Sequence, residues 1–273
     1  IWDLHYHGLL DIAPDDPVGR EHEELRFYIE RFGIERSIAL DIGGERKTPL
    51  KSHPGEAVQR RILTEQKDRV SGIVVIDPSE PQRSVEQMEK WIRHGPCVGI
   101  KYRGWGNRDS LHCDHPNNDP IIEAARSMNA LIYVHTWIKV GGTPRRPGGG
   151  AYAGENTPWH LVRLAQRFPD LPFVCGHGGG DWEIGAQVVR PHKNILFEFA
   201  GSDPHSGSVD YAVRELGVDR IVWGGHGSSR SFSTEISKVL DADLTREQRL
   251  QILGGNVRRV WARIFRDKGV SVL

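Results

Sequence analysis

A closed (β/α)8 barrel is the fold that this sequence predicts, on three observations. Short β-type runs alternate with longer amphipathic or charged segments through almost the whole chain. The length, 273 residues, is one that barrels routinely fill as a single domain. The first β-type run ends in His7-Gly8-Leu9-Leu10, which is not a glycine-rich phosphate turn and so counts against the rival, a doubly wound open sheet. Regular strand–helix alternation implies parallel strands joined by right-handed crossovers.

Taken in order, the predicted strands are 1–7, 36–42, 70–77, 98–103, 130–137, 172–177, 194–200 and 220–226. The predicted helices between them are 19–32, 54–67, 81–93, 119–128, 158–167, 181–189 and 208–216, with 231–240 and 245–265 after the last strand. Local chemistry supports several helix starts. Asn156-Thr157-Pro158 sets a capping residue before a proline in the first turn. Asp77-Pro78-Ser79-Glu80-Pro81 stops a strand and starts a helix in the same way. Leu161, Leu164, Ala165 and Phe168 recur at helical spacing and give that segment one apolar face. The glycine-rich stretch 141–154, GGTPRRPGGGAYAG, follows the fifth strand; its two arginines and tyrosine suit a lid over a strand end better than a linker.

Composition narrows the partners. Thirty-six basic residues balance 36 acidic ones, so there is neither a basic footprint for nucleic acid nor a polybasic run for a membrane surface. Cys97, Cys113 and Cys175 are odd in number and widely spaced, which predicts a cytoplasmic setting rather than a disulfide framework. No apolar run approaches the roughly 20 residues of a membrane span. The chain opens at Ile1, inside a hydrophobic stretch, and reads as one whose N-terminal sequence has been trimmed. The expected partner is a small molecule, with a homo-oligomer also compatible.

In a barrel the C-terminal strand ends converge on the active site. Here those ends carry histidine. Asp3, His5 and His7 alternate along the first strand, so both imidazoles face one way with an acid behind them. Strand four ends in Gly99-Ile100-Lys101, strand five in His135, strand six in His177 and strand eight in His226. Any one of these histidines is more often structural than a ligand. Several at one rim form a donor set suited to zinc, copper, iron or nickel. Arg103, at the start of the loop after strand four, has the fork geometry for a substrate carboxylate, or else pairs with Asp109. His112-Cys113-Asp114-His115 has the look of a metal cluster but reads as incidental crowding in a polar loop. Glu198 and Asp203 are acids near the seventh strand end; Glu198 also reads as a buried, paired acid.

The fragments DLHYH, GIK, VHTW and TPWHLVRLAQRFPDLPFVCGHGGGDWE, followed by NILFEFAGS, LGVDRIVWGGH and LGGNVRRVW, together resemble the amidohydrolase superfamily. The branch they resemble is the amidohydrolase-2 group, relatives of amino-carboxymuconate-semialdehyde decarboxylase. The resemblance covers essentially the whole chain and implies a distorted TIM barrel. It makes His5, His7 and His135 metal ligands, and His177 the residue that polarises substrate or, in two-metal members, binds a second ion. It places Lys101 where some members carry a carboxylated lysine; with one ion expected rather than two, Lys101 reads as a substrate-side cation. Strand eight of the family ends in Gly-Ser-Asp, whereas this chain has Gly224-Gly225-His226.

A neutral imidazole at 226 can still bind a metal, and the resulting His5, His7, His135 and His226 set favours zinc over oxygen-preferring ions. If His226 binds the ion, it has no lone pair left to accept a proton, and His177 becomes the base; left unligated, His226 can itself serve as the base. The leading expectation is therefore a metal-dependent hydrolase of a lactone, ester or amide, using metal-activated water, with Lys101 or Arg103 orienting an acidic substrate. A non-oxidative decarboxylase is the second expectation. A catalytically reduced barrel that binds a small acid is the third.

Overall fold

The computed structural model describes residues 1–7, 27, 30–43, 55–103, 111–138, 154–201, 206–227 and 230–272. Eight strands lie in the order β1-β2-β3-β4-β5-β6-β7-β8: Trp2–Tyr6, Arg36–Ile42, Val70–Ile76, Cys97–Tyr102, Leu131–His135, Phe173–Gly176, Ile195–Glu198 and Ile221–Val222. Every neighbouring pair is parallel. The expected barrel is the observed fold. Each predicted strand is present, most a residue or two shorter at an end.

Closure between the first and last strands comes from a few specific bonds. The Leu4 amide donates to the Trp223 carbonyl at 3.1 Å, and the His7 amide donates to the Gly227 carbonyl. Asp3 adds a side-chain bond, its Oδ1 accepting from the amides of His5 at 2.9 Å and Gly225 at 2.6 Å. Burial raises the Asp3 pKa to about 8, against the pull of those two donors. This carboxyl is a closing staple beneath the strand ends.

Helices cover the outside. Glu56–Glu65, Pro81–Met88, Asp119–Ser127, Pro158–Arg167, Trp182–Val189, Ser208–Leu216 and Phe232–Leu240 follow the predicted pattern. The Thr157 cap is reciprocal: the Thr157 amide donates to His160 Nδ1 at 2.9 Å, completing a capping box at the first turn. The predicted segment 245–265 is not one helix. It breaks into Arg246–Leu250, a π turn Gln251–Gly255, Asn256–Val260 and Ala262–Asp267. The cause is Gly254, which takes φ 137° with its Cα against Trp2, where a Cβ would lie 2.8 Å from the indole side chain. The helix bends there so that the chain can close over the base of β1.

Of the predicted helix 19–32, residues 27 and 30–32 are helical or turn-adjacent helix, and the remainder lies outside the described residues. Residues 141–153 of the stretch expected to form a lid, together with Asp109 and Asp203, also lie outside them. All three cysteines are buried and free. Among the described residues no helix is long and apolar enough to cross a membrane.

The opposite end of the barrel is tied by Arg220. Its buried guanidinium donates to the carbonyls of Val189 (2.8 Å), Arg190 (3.0 Å), His192 (2.8 Å) and Ile195 (2.9 Å). It thus satisfies the C-terminal carbonyls of Trp182–Val189 and fixes the turn into β7. Burial lowers its pKa only to about 10, so it stays charged. Arg220→Met should lower stability by about 3 kcal/mol, because buried carbonyls lose a charged donor. A urea titration checks it, with an unchanged far-ultraviolet spectrum in native buffer as the control.

Candidate metal centre

Five histidines meet at the C-terminal rim. His5 lies on β1 and His7 just after it, His135 ends β5, His177 follows β6, and His226 lies four residues past β8. The His5 ring stacks on His226 with centroids 4.2 Å apart and meets His177 edge-on at 4.9 Å. His135 touches His177 at 4.4 Å, and His7 lies 4.9 Å from His226. Ligand-capable nitrogens of His5, His177 and His226 all lie within 4.8 Å of one another. His7 joins this group through His5, and His135 through His177; neither belongs to the mutual triad.

The loop geometry that delivers these rings is unusual. Asp41, His177 and His226 have φ of 68°, 61° and 48°, positive values that non-glycine residues seldom take. Such conformations persist only where surrounding structure over-determines them, and they concentrate at functional sites. The His226 ring lies directly over Gly201, where a Cβ would fall 2.3 Å from its Cδ2.

Hydrogen bonds fix which nitrogen of each ring carries the proton. The Ala200 carbonyl can only accept, so His177 donates from Nδ1 at 2.6 Å and keeps a lone pair on Nε2. Asp41 Oδ2 lies 3.1 Å from His7 Nδ1, and this carboxylate fixes the same tautomer. The Tyr133 hydroxyl donates to Glu198 Oε2 at 2.8 Å, so its oxygen accepts from His5 Nδ1, also at 2.8 Å. The result is that Nε2 of His5 and Nε2 of His7 turn toward each other at 2.8 Å, on the side away from Tyr133 and Asp41. Two ring nitrogens at that separation need a proton or another cation between them. His135 is held the other way round, its Nε2 on Glu155 Oε1 at 3.1 Å, which leaves Nδ1 as its lone-pair nitrogen. A partner on one ring nitrogen that turns the other nitrogen toward the site is the arrangement that metal-binding histidines use. The donor chemistry fits a divalent ion of the imidazole-preferring kind.

The electrostatics agree. Burial pushes the pKa values of His5 and His177 well below the usual range, with neighbouring imidazoles adding to it. Burial and His7 bring His226 down to about 2, and burial also lowers His135 against the pull of Glu155. At neutral pH these rings are uncharged and able to ligate. Burial works against the Asp41 carboxylate, but Lys101, His7 and Arg103 hold it well below its ordinary value. Lys101 Nζ lies 3.6 Å from Asp41 Oδ1, and Arg103 Nε lies 3.9 Å from it. Burial lowers the pKa of Lys101, and Asp41 opposes the shift.

Three residues that support the site have no role in the strand-end reading: Tyr133, Asp41 and Glu155. Tyr133 reads as one more apolar position in ALIYVHTW, although it lies two residues before His135 and so shares its inward face. Asp41 ends a buried run just as the histidines do, and that signal was available. Glu155 sits beyond the glycine-rich stretch, and no periodicity points to it. Glu198, read as a possible buried, paired acid, is one: it accepts from Tyr133, from the His177 amide at 3.0 Å and from the Ala200 amide at 2.8 Å. Glycines make room for it. A Cβ at Gly224 would lie 2.4 Å from Glu198 Oε1, and one at Gly176 would lie 2.3 Å from the Tyr133 oxygen.

A second set, His112, Asp114 and His160, also has mutually close ligand atoms. Asp114 is already bonded to Arg163 at 2.5 Å, and His160 Nδ1 is occupied by the Thr157 cap. The two rings stack in parallel at 3.8 Å, so their in-plane lone pairs do not converge.

A family model described as "Amidohydrolase" matches residues 11–263. No match was found among curated proteins. Among solved structures, an uncharacterized TIM-barrel protein from Bordetella bronchiseptica is 18% identical, with 97% of this chain and 99% of that one covered and a TM-score of 0.73. A 4-oxalomesaconate hydratase from Rhodopseudomonas palustris is 16% identical over 98% of this chain and 97% of its own, with a TM-score of 0.71. A dihydroxybenzoic acid decarboxylase from Polaromonas sp. JS666, with bound manganese and the inhibitor 2-nitroresorcinol, is 15% identical over 96% of each chain, with a TM-score of 0.67.

Tyr133→Phe should destabilise the fold by about 1–3 kcal/mol, since it strips a donor from a buried carboxylate. It should also raise the Glu198 pKa further above its present value of about 7, because a group that stabilises the charged form is gone. Denaturant titration and carboxyl-carbon NMR measure the two effects.

Proposed function

Because the chain belongs to the amidohydrolase family, we propose that it is a metal-dependent hydrolase of a small, acidic lactone, ester or amide. The observation that carries the reading is the approach of His5 Nε2 to His7 Nε2 at 2.8 Å beside three further imidazoles that burial keeps neutral. His5, His7, His135 and His226 would hold one divalent ion. Once bound, that ion would polarise a carbonyl oxygen and acidify water.

The chain's own groups supply the rest. His177 is the imidazole left for proton transfer. A neutral carbonyl lies behind it, whereas His135 is backed by a carboxylate, as metal-binding histidines commonly are. Its lowered pKa keeps it unprotonated at neutral pH, the state in which a base must wait. As water adds to the carbonyl carbon, one of its protons passes to His177 Nε2. That proton returns to the leaving oxygen or nitrogen as the C–O or C–N bond breaks. Lys101 and Arg103, beside Asp41, orient the substrate's carboxylate.

Zinc suits an all-imidazole donor set; the manganese of the Polaromonas decarboxylase makes that ion the alternative. Decarboxylation of a small carboxylic acid is the second reading. It is favoured by the paired cations at the site and by the decarboxylases among the similar structures. The third expectation, a binding barrel without turnover, rests on the histidine that stands at 226 where the family carries an aspartate.

Protein purified without chelator should carry about one equivalent of divalent metal per chain, falling at least tenfold in His5→Ala. Less than about a tenth of an equivalent, with no binding on titration, would sink the reading. A panel of lactones, esters and amides assayed by acid release, beside aromatic and enol carboxylates assayed for CO2, separates the two reactions.

A further inference from the structure

The two glycines that flank His226 serve a close approach rather than backbone freedom. Neither Gly225 nor Gly227 has a positive φ. Both lie against one aromatic ring: a Cβ at Gly225 would fall 2.6 Å from Cε1 of Phe232, and one at Gly227 would fall closer still to Cε2. Real Cβ atoms do not come so near a ring carbon. Glycine is therefore what lets the chain on either side of His226 rest on that ring.

Phe232 is itself fixed. It opens the helix Phe232–Leu240 and is 1% exposed. Its ring centroid lies 6.4 Å from that of Tyr6 on β1, 6.0 Å from that of Trp223 just after β8, and 5.7 Å from that of Phe32. The connection back to the histidine is short. The Arg230 amide donates to the His226 carbonyl at 3.0 Å, which turns the backbone so that Phe232 returns to the segment it follows. From the barrel side, Tyr6 bridges Gly227, and Asp3 holds the Gly225 amide at 2.6 Å. His226 is the centre of a three-residue stretch gripped at both ends. It takes φ 48°, a conformation that persists under such constraint. The imidazole delivered there lies over Gly201, its centroid 4.2 Å from that of His5.

We propose that Phe232 is the positioning residue for His226: by seating Gly225 and Gly227 on its ring, it holds the imidazole against His5, where the two can share a divalent ion. The inference rests on the reading that this rim binds such an ion. Leucine at 232 keeps an apolar side chain in the core but offers the glycines no flat face, and the backbone of His226 can then relax.

The Zn2+ affinity of metal-stripped protein, read by competition with a chromophoric chelator, tests this without any substrate. Phe232→Leu should weaken Zn2+ binding at least about tenfold, and so should His226→Ala. The double variant should bind within about twofold of His226→Ala, because a residue that acts through an imidazole has no effect once that imidazole is gone. A merely structural loss would instead add to that of His226→Ala. Proton NMR of the metal-free protein supplies a second readout. The ring protons of His226, assigned by their disappearance in His226→Ala, are shielded by the His5 ring and should move toward free-histidine positions in Phe232→Leu. Gly225→Ala, which drives a methyl group against Phe232, should reproduce both effects should the leucine variant not fold. Unchanged Zn2+ affinity in Phe232→Leu or in His226→Ala, or losses that add in the double variant, overturns the inference and leaves the metal site standing on the other histidines. Wild-type protein that binds no Zn2+ removes the metal reading, and this inference with it.

Discussion

One buried carboxylate organises the rim. Glu198 ends β7 and accepts from three donors: the Tyr133 hydroxyl on β5, the His177 amide after β6 and the Ala200 amide after its own strand. Through Tyr133 it reaches His5 on β1 as well. A carboxylate with no access to water must find such donors or give up its charge, and burial has already raised its pKa to about 7. That need fixes the relative heights of the strand ends. It also explains two glycines, since Gly176 and Gly224 are the positions where a methyl group would occupy the space of Tyr133 and Glu198.

The fold was legible because its signal is repeated and local. Buried parallel strands must be continuous apolar runs, and each run is bounded by its own turn or cap. The segment 245–265 was misread as one helix because its break depends on Gly254 meeting Trp2, a contact between the two ends of the chain. The candidate site divides along the same line. Imidazoles at the ends of apolar runs stand out in a sequence, and His5, His7, His135, His177 and His226 do gather at one rim. Their orienting partners were illegible for physical reasons. Tyr133 looks apolar in sequence because most of it is; Glu155 pairs with His135 across 20 residues, much of that a glycine-rich loop. Which nitrogen of each ring turns toward the site is a property of those partners, so it could not be read earlier than the partners themselves.

Burial has opposite effects on the two kinds of group at this rim, and the difference divides their roles. It drives the imidazoles neutral, which costs little and leaves them ready to donate lone pairs. It would also drive the acids neutral, except where cations or several donors hold them ionised, as Lys101, His7 and Arg103 hold Asp41. Charge at the site is therefore concentrated at a few positions, each with an identifiable counterpart.

This distribution bears on the histidine at the end of IVWGGHGSS. At that place the resemblance expects an aspartate, which would bring negative charge directly to a bound ion. His226 brings none; its ring stacks on His5, over Gly201, with its pKa held down to about 2 by burial and His7. The acids at this rim instead stand one bond behind the imidazoles, Asp41 behind His7 and Glu155 behind His135, with Glu198 reaching His5 through Tyr133. Negative charge placed there still raises the basicity of the ring in front of it, as carboxylates behind metal-binding histidines do. It acts on an ion from farther away, however, and neutralises it less. An ion bound here with His226 in place of a carboxylate would stay more positive. It would then be a stronger Lewis acid, and the histidine, Lys101 and Arg103 would all favour an anionic substrate.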